Sequence, residues 1–115
     1  MTSFKERFTF EQRLKEAKRI RKKYSDRVPI IVEKAKKNDV PDIDKYKFLV
    51  PTDLTIAQFI CVIRKRIRLT PDNALYIFIN NMLPPQDALV GQIYKEQAEK
   101  DQFLYCIYGS ESTFG

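Results

Sequence analysis

Residues 45–68, with the sequence KYKFLVPTDLTIAQFICVIRKRIR, restrict the possible folds of this chain more than any other stretch. The stretch begins with a short apolar run, Lys47–Val50, and Pro51 ends it because proline cannot donate to a sheet ladder. Thr55 stands three residues before Gln58, which is the spacing of a capping box at the start of a helix. The stretch therefore predicts a strand, a turn and an amphipathic helix.

The predicted strand has two faces, because successive side chains of a strand point in opposite directions. Lys47 and Leu49 share one face, and Phe48 and Val50 share the other. If this strand lies at a sheet edge, its faces open two apolar pockets beside unpaired backbone groups. The helix that follows has an apolar stripe made of Ile56, Phe59, Ile60, Ile63 and Ile67, and a basic face made of Arg64, Lys65, Arg66 and Arg68.

The other elements are predicted from the same patterns. Thr9 and Gln12 form a second capping box, which begins a helix that ends at Tyr24. Its apolar stripe consists of Phe10, Leu14, Ala17, Ile20 and Tyr24. Residues 1–8 form either a short additional helix or a mobile segment. Strands are predicted at Val28–Glu33, Ala74–Asn80 and Phe103–Tyr108, the last of them central in the sheet, and a short helix is predicted at Gly91–Asp101.

The net charge of +6 belongs entirely to the N-terminal part of the chain. Residues 1–27 contain ten Lys or Arg and four Asp or Glu, whereas residues 28–115 contain eleven of each. This basic surface is either the solvated face of a helix packed on a sheet or also a contact for an acidic partner or an anionic membrane. Both interpretations can hold together. We expect no nucleic-acid partner, because the aromatic stacking pattern of a single-strand groove is missing.

The composition argues against an enzyme, a cofactor and a metal site. There is no histidine, and the two cysteines lie far apart, which excludes a zinc site and a Cys-His nucleophile. Cys61 and Cys106 lie in apolar segments, so we expect both to be buried, reduced thiols. The chain lacks an 18-residue apolar run and a secretory signal, which predicts a cytoplasmic protein without a transmembrane helix.

The order of elements predicts the architecture. A hairpin, a crossover helix, a further strand, a short helix and a last strand form the β-grasp arrangement of ubiquitin. The predicted fold class is therefore α+β, a ubiquitin-like β-grasp fold with two additional N-terminal helices. Residues 1–26 form the helical extension packed on the sheet, and residues 27–115 form the ubiquitin-like domain, whose flexible C-terminal tail is 109–115.

Several segments in order resemble the autophagy ubiquitin-like modifiers, of which the GABARAP-like branch looks nearest. These segments are IRKKY (20–24), DRVPIIVEKA (26–35), KFLVPTDLT (47–55), IRKRI (63–67), FINN (78–81), PP (84–85) and FLY (103–105). The resemblance implies a modifier whose C-terminal glycine, here Gly115, is joined to phosphatidylethanolamine in autophagosome formation. It implies as partners the activating and conjugating enzymes of the pathway, a delipidating cysteine protease, and phosphatidylethanolamine membranes. The protein would be a monomer in solution and would lie on the autophagosome membrane when lipidated.

The resemblance also implies docking of receptors that carry a short aromatic-x-x-aliphatic motif, which would add a strand to the edge at Lys47–Val50. The motif's aromatic side chain would enter a pocket lined by Ile20, Pro29, Ile31, Lys47, Leu49 and Phe103. Its aliphatic side chain would enter a pocket lined by Phe48, Val50, Pro51, Leu54, Phe59 and Val62. Arg27, Lys45, Lys47 and Arg66 would contact acidic or polar groups around the motif.

Some related readings stay open at this point. From their pattern alone, the apolar residues of both pockets are better explained as plain core packing, and only the resemblance favours the pockets. A motif-binding adaptor that is never conjugated, or a lipidated modifier of another organelle membrane, fits the same sequence. A further surface near Tyr76–Ile79 binds helical motifs in some relatives and is an additional candidate here.

Overall fold

The computed structural model describes residues 2–36 and 40–111, which form four helices and four strands. In chain order the elements are α1 (Phe4–Arg7), α2 (Phe10–Lys23), β1 (Arg27–Lys34), β2 (Lys47–Pro51), α3 (Ile56–Ile67), β3 (Tyr76–Phe78), α4 (Val90–Gln97) and β4 (Leu104–Gly109). The first of the two predicted N-terminal helices is thus a single turn. The strand expected at Ala74–Asn80 is shorter than predicted, because only Tyr76–Phe78 pair with β4.

Each of the first three helices begins with a capping box. In this motif the hydroxyl of the N-cap residue and the side chain of the residue three positions later each accept a hydrogen bond from a backbone N–H group. The boxes at Thr9 and Thr55 confirm the sequence prediction, and a third at Ser3, which the sequence-based prediction lacks, begins α1. At its other end α3 stops at Arg68, whose φ of 57° is left-handed and whose N–H donates to the carbonyls of Arg64 and Lys65.

The four strands form one mixed sheet in the order β2-β1-β4-β3. β1 pairs antiparallel with β2 and parallel with β4, and β3 pairs antiparallel with β4. The predicted edge position of β2 and the predicted central position of β4 are both confirmed. β3 consequently runs in the same direction as β2, so α3 is the crossover that returns the chain to the same end of the sheet.

The sheet is covered on both faces, which explains why β1 is apolar on both. On one face α3 and α4 close the main core around Val28, Ile30 and Val32 of β1. On the other face the N-terminal helices close a smaller cluster made of Phe4, Ala17, Ile31 and Phe103, with Tyr46 and Tyr105 packed against it.

A buried polar cluster also holds the N-terminal helices on the sheet. The Asp101 side chain is 2% exposed, and its carboxylate accepts hydrogen bonds from Arg13 Nε at 2.9 Å and from the Tyr105 hydroxyl. Arg13 also donates to the backbone carbonyls of Lys5 and Phe8. Since a buried carboxylate is tolerated only when it is paired, this cluster ties α1, α2 and the start of β4 together.

Three sequence-based expectations about these elements are wrong. Phe10 is 44% exposed, because Phe4 of α1 supplies the aromatic ring of the smaller cluster in its place. Cys61 is exposed, since it lies between Phe59 and Ile63 on α3 and points away from the face that they bury. The last helix ends at Gln97 instead of Asp101, whose carboxylate belongs to the buried cluster described above.

Candidate functional site

The edge strand β2 is the candidate docking site. Among the described strands it has a neighbour on one side only, β1, with Leu49 opposite Pro29 and Phe48 opposite Ile30. Burial alternates along Lys47–Pro51, with Phe48 and Val50 buried and the other three half-buried. The two faces predicted for this strand are therefore present, and within residues 2–36 and 40–111 no strand pairs with its other flank.

The residues of the predicted aromatic pocket lie on α2 and on the sheet face that α2 covers. Ile20, Ile31 and Phe103 are no more than 1% exposed, and Ile31 packs with Phe103 in the smaller cluster. Pro29 is buried next to them, opposite Leu49 in the sheet register. Lys47 and Leu49 are half-buried, so they are the members of the set that a ligand meets first.

The six residues of the predicted aliphatic pocket lie on or beside the opposite face and divide into two groups. Phe48, Val50 and Phe59 belong to the main core, where the Phe48 and Phe59 rings pack edge to face with centroids 6.1 Å apart. The accessible members are Pro51 and Leu54, which are half-buried, and Val62, which is 41% exposed. Any pocket on this face is therefore a shallow one over core residues.

An ion pair joins α2 to the edge strand at the aromatic pocket. Lys47 Nζ lies 2.6 Å from Glu16 Oε2, and Arg19 Nε lies 2.8 Å from Glu16 Oε1. Hydrogen bonds from Arg19 and then Lys47 lower the pKa of Glu16 to about 2. Glu16 was absent from the sequence-based site, although its position four residues before Ile20 places it on the same helix face.

Besides Lys47, the three residues predicted to contact acidic or polar groups around the motif have different surroundings. Arg27 is exposed at the start of β1. Lys45 Nζ lies 5.0 Å from the centroid of the Phe48 ring, within reach of a cation–π contact. Arg66 Nε lies 2.9 Å from Asp44 Oδ1 in an exposed ion pair, which is weak enough to exchange for a ligand carboxylate.

The predicted conjugation residue, Gly115, lies outside the described residues. β4 ends at Gly109, and the described chain continues to Glu111. Along 2–36 and 40–111, no cluster of three His, Cys, Asp or Glu side chains is arranged to hold a metal ion. Over the same residues, no helix is long and apolar enough to cross a membrane.

The protein has a mixed four-stranded sheet, a crossover helix, N-terminal helices on the second face of the sheet, and an open edge strand. This architecture is that of the ubiquitin-like proteins. The comparisons with known proteins agree with this class. A family model described as "Autophagy protein Atg8 ubiquitin like" matches residues 12–115. The chain belongs to this Atg8 family of ubiquitin-like autophagy proteins, which confirms the predicted family but does not resolve the branch.

Relatives from plants and a yeast match nearly the whole chain. Autophagy-related protein 8B of Oryza sativa subsp. indica is 57% identical over 114 residues, 99% of this chain and 96% of the relative. Autophagy-related protein 8 of Candida glabrata is 52% identical over 114 residues, 99% of this chain and 97% of the relative.

Two solved structures have the same fold. The crystal structure of Trypanosoma brucei ATG8 has a TM-score of 0.91 and 41% identity, covering 100% of this chain and 99% of that one. Plasmodium falciparum Atg8 in complex with a Plasmodium falciparum Atg3 peptide has a TM-score of 0.91 and 32% identity, covering 99% and 100%. The predicted ubiquitin-like fold is therefore confirmed.

Proposed function

We propose that this chain is a ubiquitin-like modifier that is conjugated through the carboxylate of Gly115 to phosphatidylethanolamine and acts in autophagosome formation. On the membrane it serves as a docking adaptor for receptors with an aromatic-x-x-aliphatic motif. Family membership supports the conjugation. The observation that carries the docking is the edge strand β2, which has one unpaired flank in the sheet and lies between two apolar faces.

The chemistry of conjugation belongs to the enzymes, and this chain is their substrate. An activating enzyme adenylates the Gly115 carboxylate with release of pyrophosphate, and an enzyme cysteine then displaces AMP to form a thioester. A cysteine of the conjugating enzyme displaces that thiolate and takes over the thioester. The amine of the lipid then displaces the thiolate of the conjugating enzyme and forms an amide, which a delipidating cysteine protease later hydrolyses. Within this chain, burial raises the pKa of the Cys106 thiol to about 12, so that thiol is not a nucleophile.

A partner complex of a relative supports contact with the conjugation machinery. The Plasmodium falciparum Atg8 structure contains a peptide of Plasmodium falciparum Atg3, and that protein shares this fold at 32% identity. We therefore include conjugating enzymes among the partners of this chain. The protein itself is cytoplasmic before lipid attachment in this proposal, and is held on the membrane by the lipid afterwards.

Docking by strand addition uses backbone pairing for affinity and the two faces for specificity. The aromatic side chain of the motif goes to the α2 face, where Ile20, Ile31 and Phe103 are buried. Lys47 lies opposite Ile31 in the sheet register and pairs with Glu16, so in this proposal the ion pair separates when the ring enters. The aliphatic side chain goes to the other face, over Leu54 and Val62.

The accessible members of the two faces give the sharpest test of docking. We expect Leu49→Ala with Val62→Ala to weaken an acidic aromatic-x-x-aliphatic peptide by roughly 10- to 100-fold, because each truncation removes apolar contact on one face. Phe48→Ala is less suitable, since Phe48 packs on Phe59 in the core and its loss would also reduce stability. Isothermal titration of the peptide measures the affinity.

The control for this titration changes side chains of the same kind elsewhere. Met82→Ala with Leu89→Ala truncates two residues that are 70% and 44% exposed and lie outside β2 and α3. This variant should bind the peptide as the unchanged protein does. Equal affinity for all three folded proteins would show that β2 is not the docking edge.

Conjugation is tested by Gly115→Ala and by deletion of Gly115 in a reaction reconstituted with purified enzymes and phosphatidylethanolamine vesicles. In this proposal the catalytic channel of the enzymes is narrow and admits only a residue without Cβ, whereas the last residue of both variants has a Cβ. Neither variant should therefore yield a thioester or a lipidated product on a gel. Lipidation of the deletion variant would contradict the proposal. Peptide docking by unchanged protein that never forms a thioester would identify a non-conjugated adaptor instead.

A further inference from the structure

Thr70 is the one Ser or Thr of this sequence that a proline follows directly. It lies between α3 and β3, where residues 69–75 form neither helix nor strand. Thr70 and Pro71 are both exposed. Because proline favours extended backbone in the residue before it, the chain at Thr70 does not continue the helix and presents the hydroxyl on an accessible segment.

The Thr70 hydroxyl belongs to a surface turn and not to a helix cap. The side chains of Ser3, Thr9 and Thr55 each accept a hydrogen bond from a backbone N–H group in the first turn of a helix. At Thr70, by contrast, the Asn73 N–H donates to the carbonyl at 3.0 Å, and Asn73 Nδ2 donates to the hydroxyl oxygen at 2.6 Å. A group added to this oxygen therefore meets an exposed four-residue turn and leaves the core intact.

A cation of α3 is fixed against this turn. Arg64 Nη2 donates to the carbonyls of Thr70 at 3.1 Å and Asn73 at 2.8 Å. The guanidinium also carries N–H donors on its two other nitrogens, and its fork geometry suits phosphate oxygens. Since Arg64 is bonded to the backbone of Thr70 itself, it lies within reach of a phosphate on the Thr70 side chain. Lys65 and Arg68, which are both exposed, extend the positive surface around it.

Asp72 decides on which side of the turn a phosphate would lie. A hydrogen bond from the Thr70 hydroxyl lowers the pKa of this exposed carboxyl. A phosphate ester has no hydroxyl proton, so phosphorylation removes this bond and places a second anion beside Asp72. Like charges repel, which directs the phosphate away from Asp72 and toward Arg64.

We propose that Thr70 is the substrate of a proline-directed protein kinase and that Arg64 binds the phosphate that results. In this reaction the Thr70 oxygen attacks the γ-phosphorus of ATP, the bond from that phosphorus to the ADP oxygen breaks, and the hydroxyl proton passes to a carboxylate of the kinase. The phosphate adds a charge of about −1.5 to −2 to the basic surface of α3. The proposal rests neither on lipid conjugation nor on docking at β2.

Phosphate transfer is tested on the full chain with radiolabelled ATP and a proline-directed kinase that phosphorylates a peptide of residues 66–75. Thr70→Ala removes the acceptor and Pro71→Ala removes the proline, so each should lower incorporation at least about tenfold. Thr70→Ser keeps both features and should remain a substrate. The control, Ser25→Ala, removes an exposed hydroxyl from the turn before β1 and should leave incorporation unchanged.

The position of the phosphate is tested by phosphorus magnetic resonance of the phosphorylated protein during a pH titration. A neighbouring guanidinium stabilises the dianion, so the second pKa of the phosphate should be lower by about 0.5 or more in the protein than in the phosphorylated peptide. Arg64→Gln should bring this pKa back toward that of the peptide. Arg66→Gln is the matched control, because the Arg66 guanidinium pairs with Asp44, and it should leave the pKa lowered.

Three outcomes would overturn the proposal. Labelling of the peptide but not of the folded chain would show that the turn shields the Thr70 hydroxyl. Equal labelling of the unchanged protein and Thr70→Ala would place the phosphate on another residue. Equal phosphate pKa values in protein and peptide would show that Arg64 does not bind the phosphate. Circular dichroism of every variant before the assay establishes that a loss of labelling reflects recognition by the kinase and not unfolding.

Discussion

Glu16 is the residue at which α2 and the edge strand meet. Its carboxylate is shared by Arg19, three residues along the same helix, and by Lys47, which is 31 residues away. The helical spacing of Glu16 from Ile20 is visible in the sequence, but the partner on β2 is not, because it depends on how the helix packs on the sheet. This is why the site predicted from the sequence included Lys47 and omitted Glu16.

The depressed pKa of Glu16 makes a prediction about acid stability. A carboxyl whose pKa falls from 4.5 to about 2 on folding stabilises the folded state above pH 4.5, and this contribution is lost as the pH falls towards 2. The difference in urea midpoint between the unchanged protein and Glu16→Gln should therefore be largest above pH 4.5 and disappear near pH 2.

The control for the acid titration is Glu11→Gln, an exposed carboxylate in the first turn of α2 with no ion pair along the described chain. It should not reproduce the pH dependence of Glu16→Gln. A constant difference in midpoint from pH 2 to pH 7 for Glu16→Gln would mean that the Lys47 and Arg19 contacts do not stabilise the charged form in solution.

At the scale of elements, α4 is held against the turn that follows β2. Gly91 N–H donates to the Thr52 carbonyl at 3.0 Å, and Val90 N–H donates to the Leu54 carbonyl at 2.7 Å. A Cβ on Gly91 would lie 2.8 Å from Thr52 Cβ and 3.0 Å from its carbonyl oxygen. Glycine is needed here because two backbones approach each other closely, and not because of an unusual φ.

We expect Gly91→Ala to destabilise the protein, although alanine favours a helix by about 1 kcal/mol over glycine. The clash with the Thr52 backbone should outweigh this gain and lower the free energy of unfolding by roughly 1–3 kcal/mol. Guanidinium denaturation measures the change. The matched control is Gln92→Ala, an exposed position one residue further along α4, which should be neutral or slightly stabilising.

The starts of elements were easier to predict than their ends. The capping boxes at Thr9 and Thr55 are local patterns and gave the starts of α2 and α3 correctly. The ends of β3 and α4 depend on distant partners. β3 stops where its pairing with β4 stops. Asp101, which was predicted to end α4, instead accepts a hydrogen bond from Arg13 of α2, 88 residues earlier in the chain. The two faces of β2 were predictable from alternation, whereas the division of the aliphatic set into core and accessible residues was not.

At the scale of the whole molecule, Phe4 fastens the N-terminal helices to the sheet. Its side chain is 3% exposed, and its ring packs edge to face on Phe103 with centroids 5.1 Å apart. Its backbone N–H also donates to Glu33 Oε2 at 2.9 Å. Because Phe103 is one of the residues predicted to line the aromatic pocket, the first residues of the chain pack against the predicted docking surface.

Phe4→Ala should therefore lower the free energy of unfolding by about 3 kcal/mol, as expected for loss of a buried ring. Phe8→Ala and Phe10→Ala, at residues that are 37% and 44% exposed, should each cost less than about 1 kcal/mol. Urea denaturation of the three variants provides the comparison. Equal small losses would indicate that α1 separates from the sheet before the rest of the protein unfolds.

We expect the parallel pairing of β1 with β4 to affect how the protein folds during its synthesis. Ile30 pairs with Leu104, so the ribosome must synthesise most of the chain that follows β1 before β4, the second neighbour of β1, exists. At about 5–20 residues per second this takes on the order of four to fifteen seconds. During that interval the apolar β1 has only β2 beside it, and its other edge is open to pairing with a second nascent chain. A chaperone that shields strand β1 during translation should therefore raise the yield of folded protein more than one that acts after release.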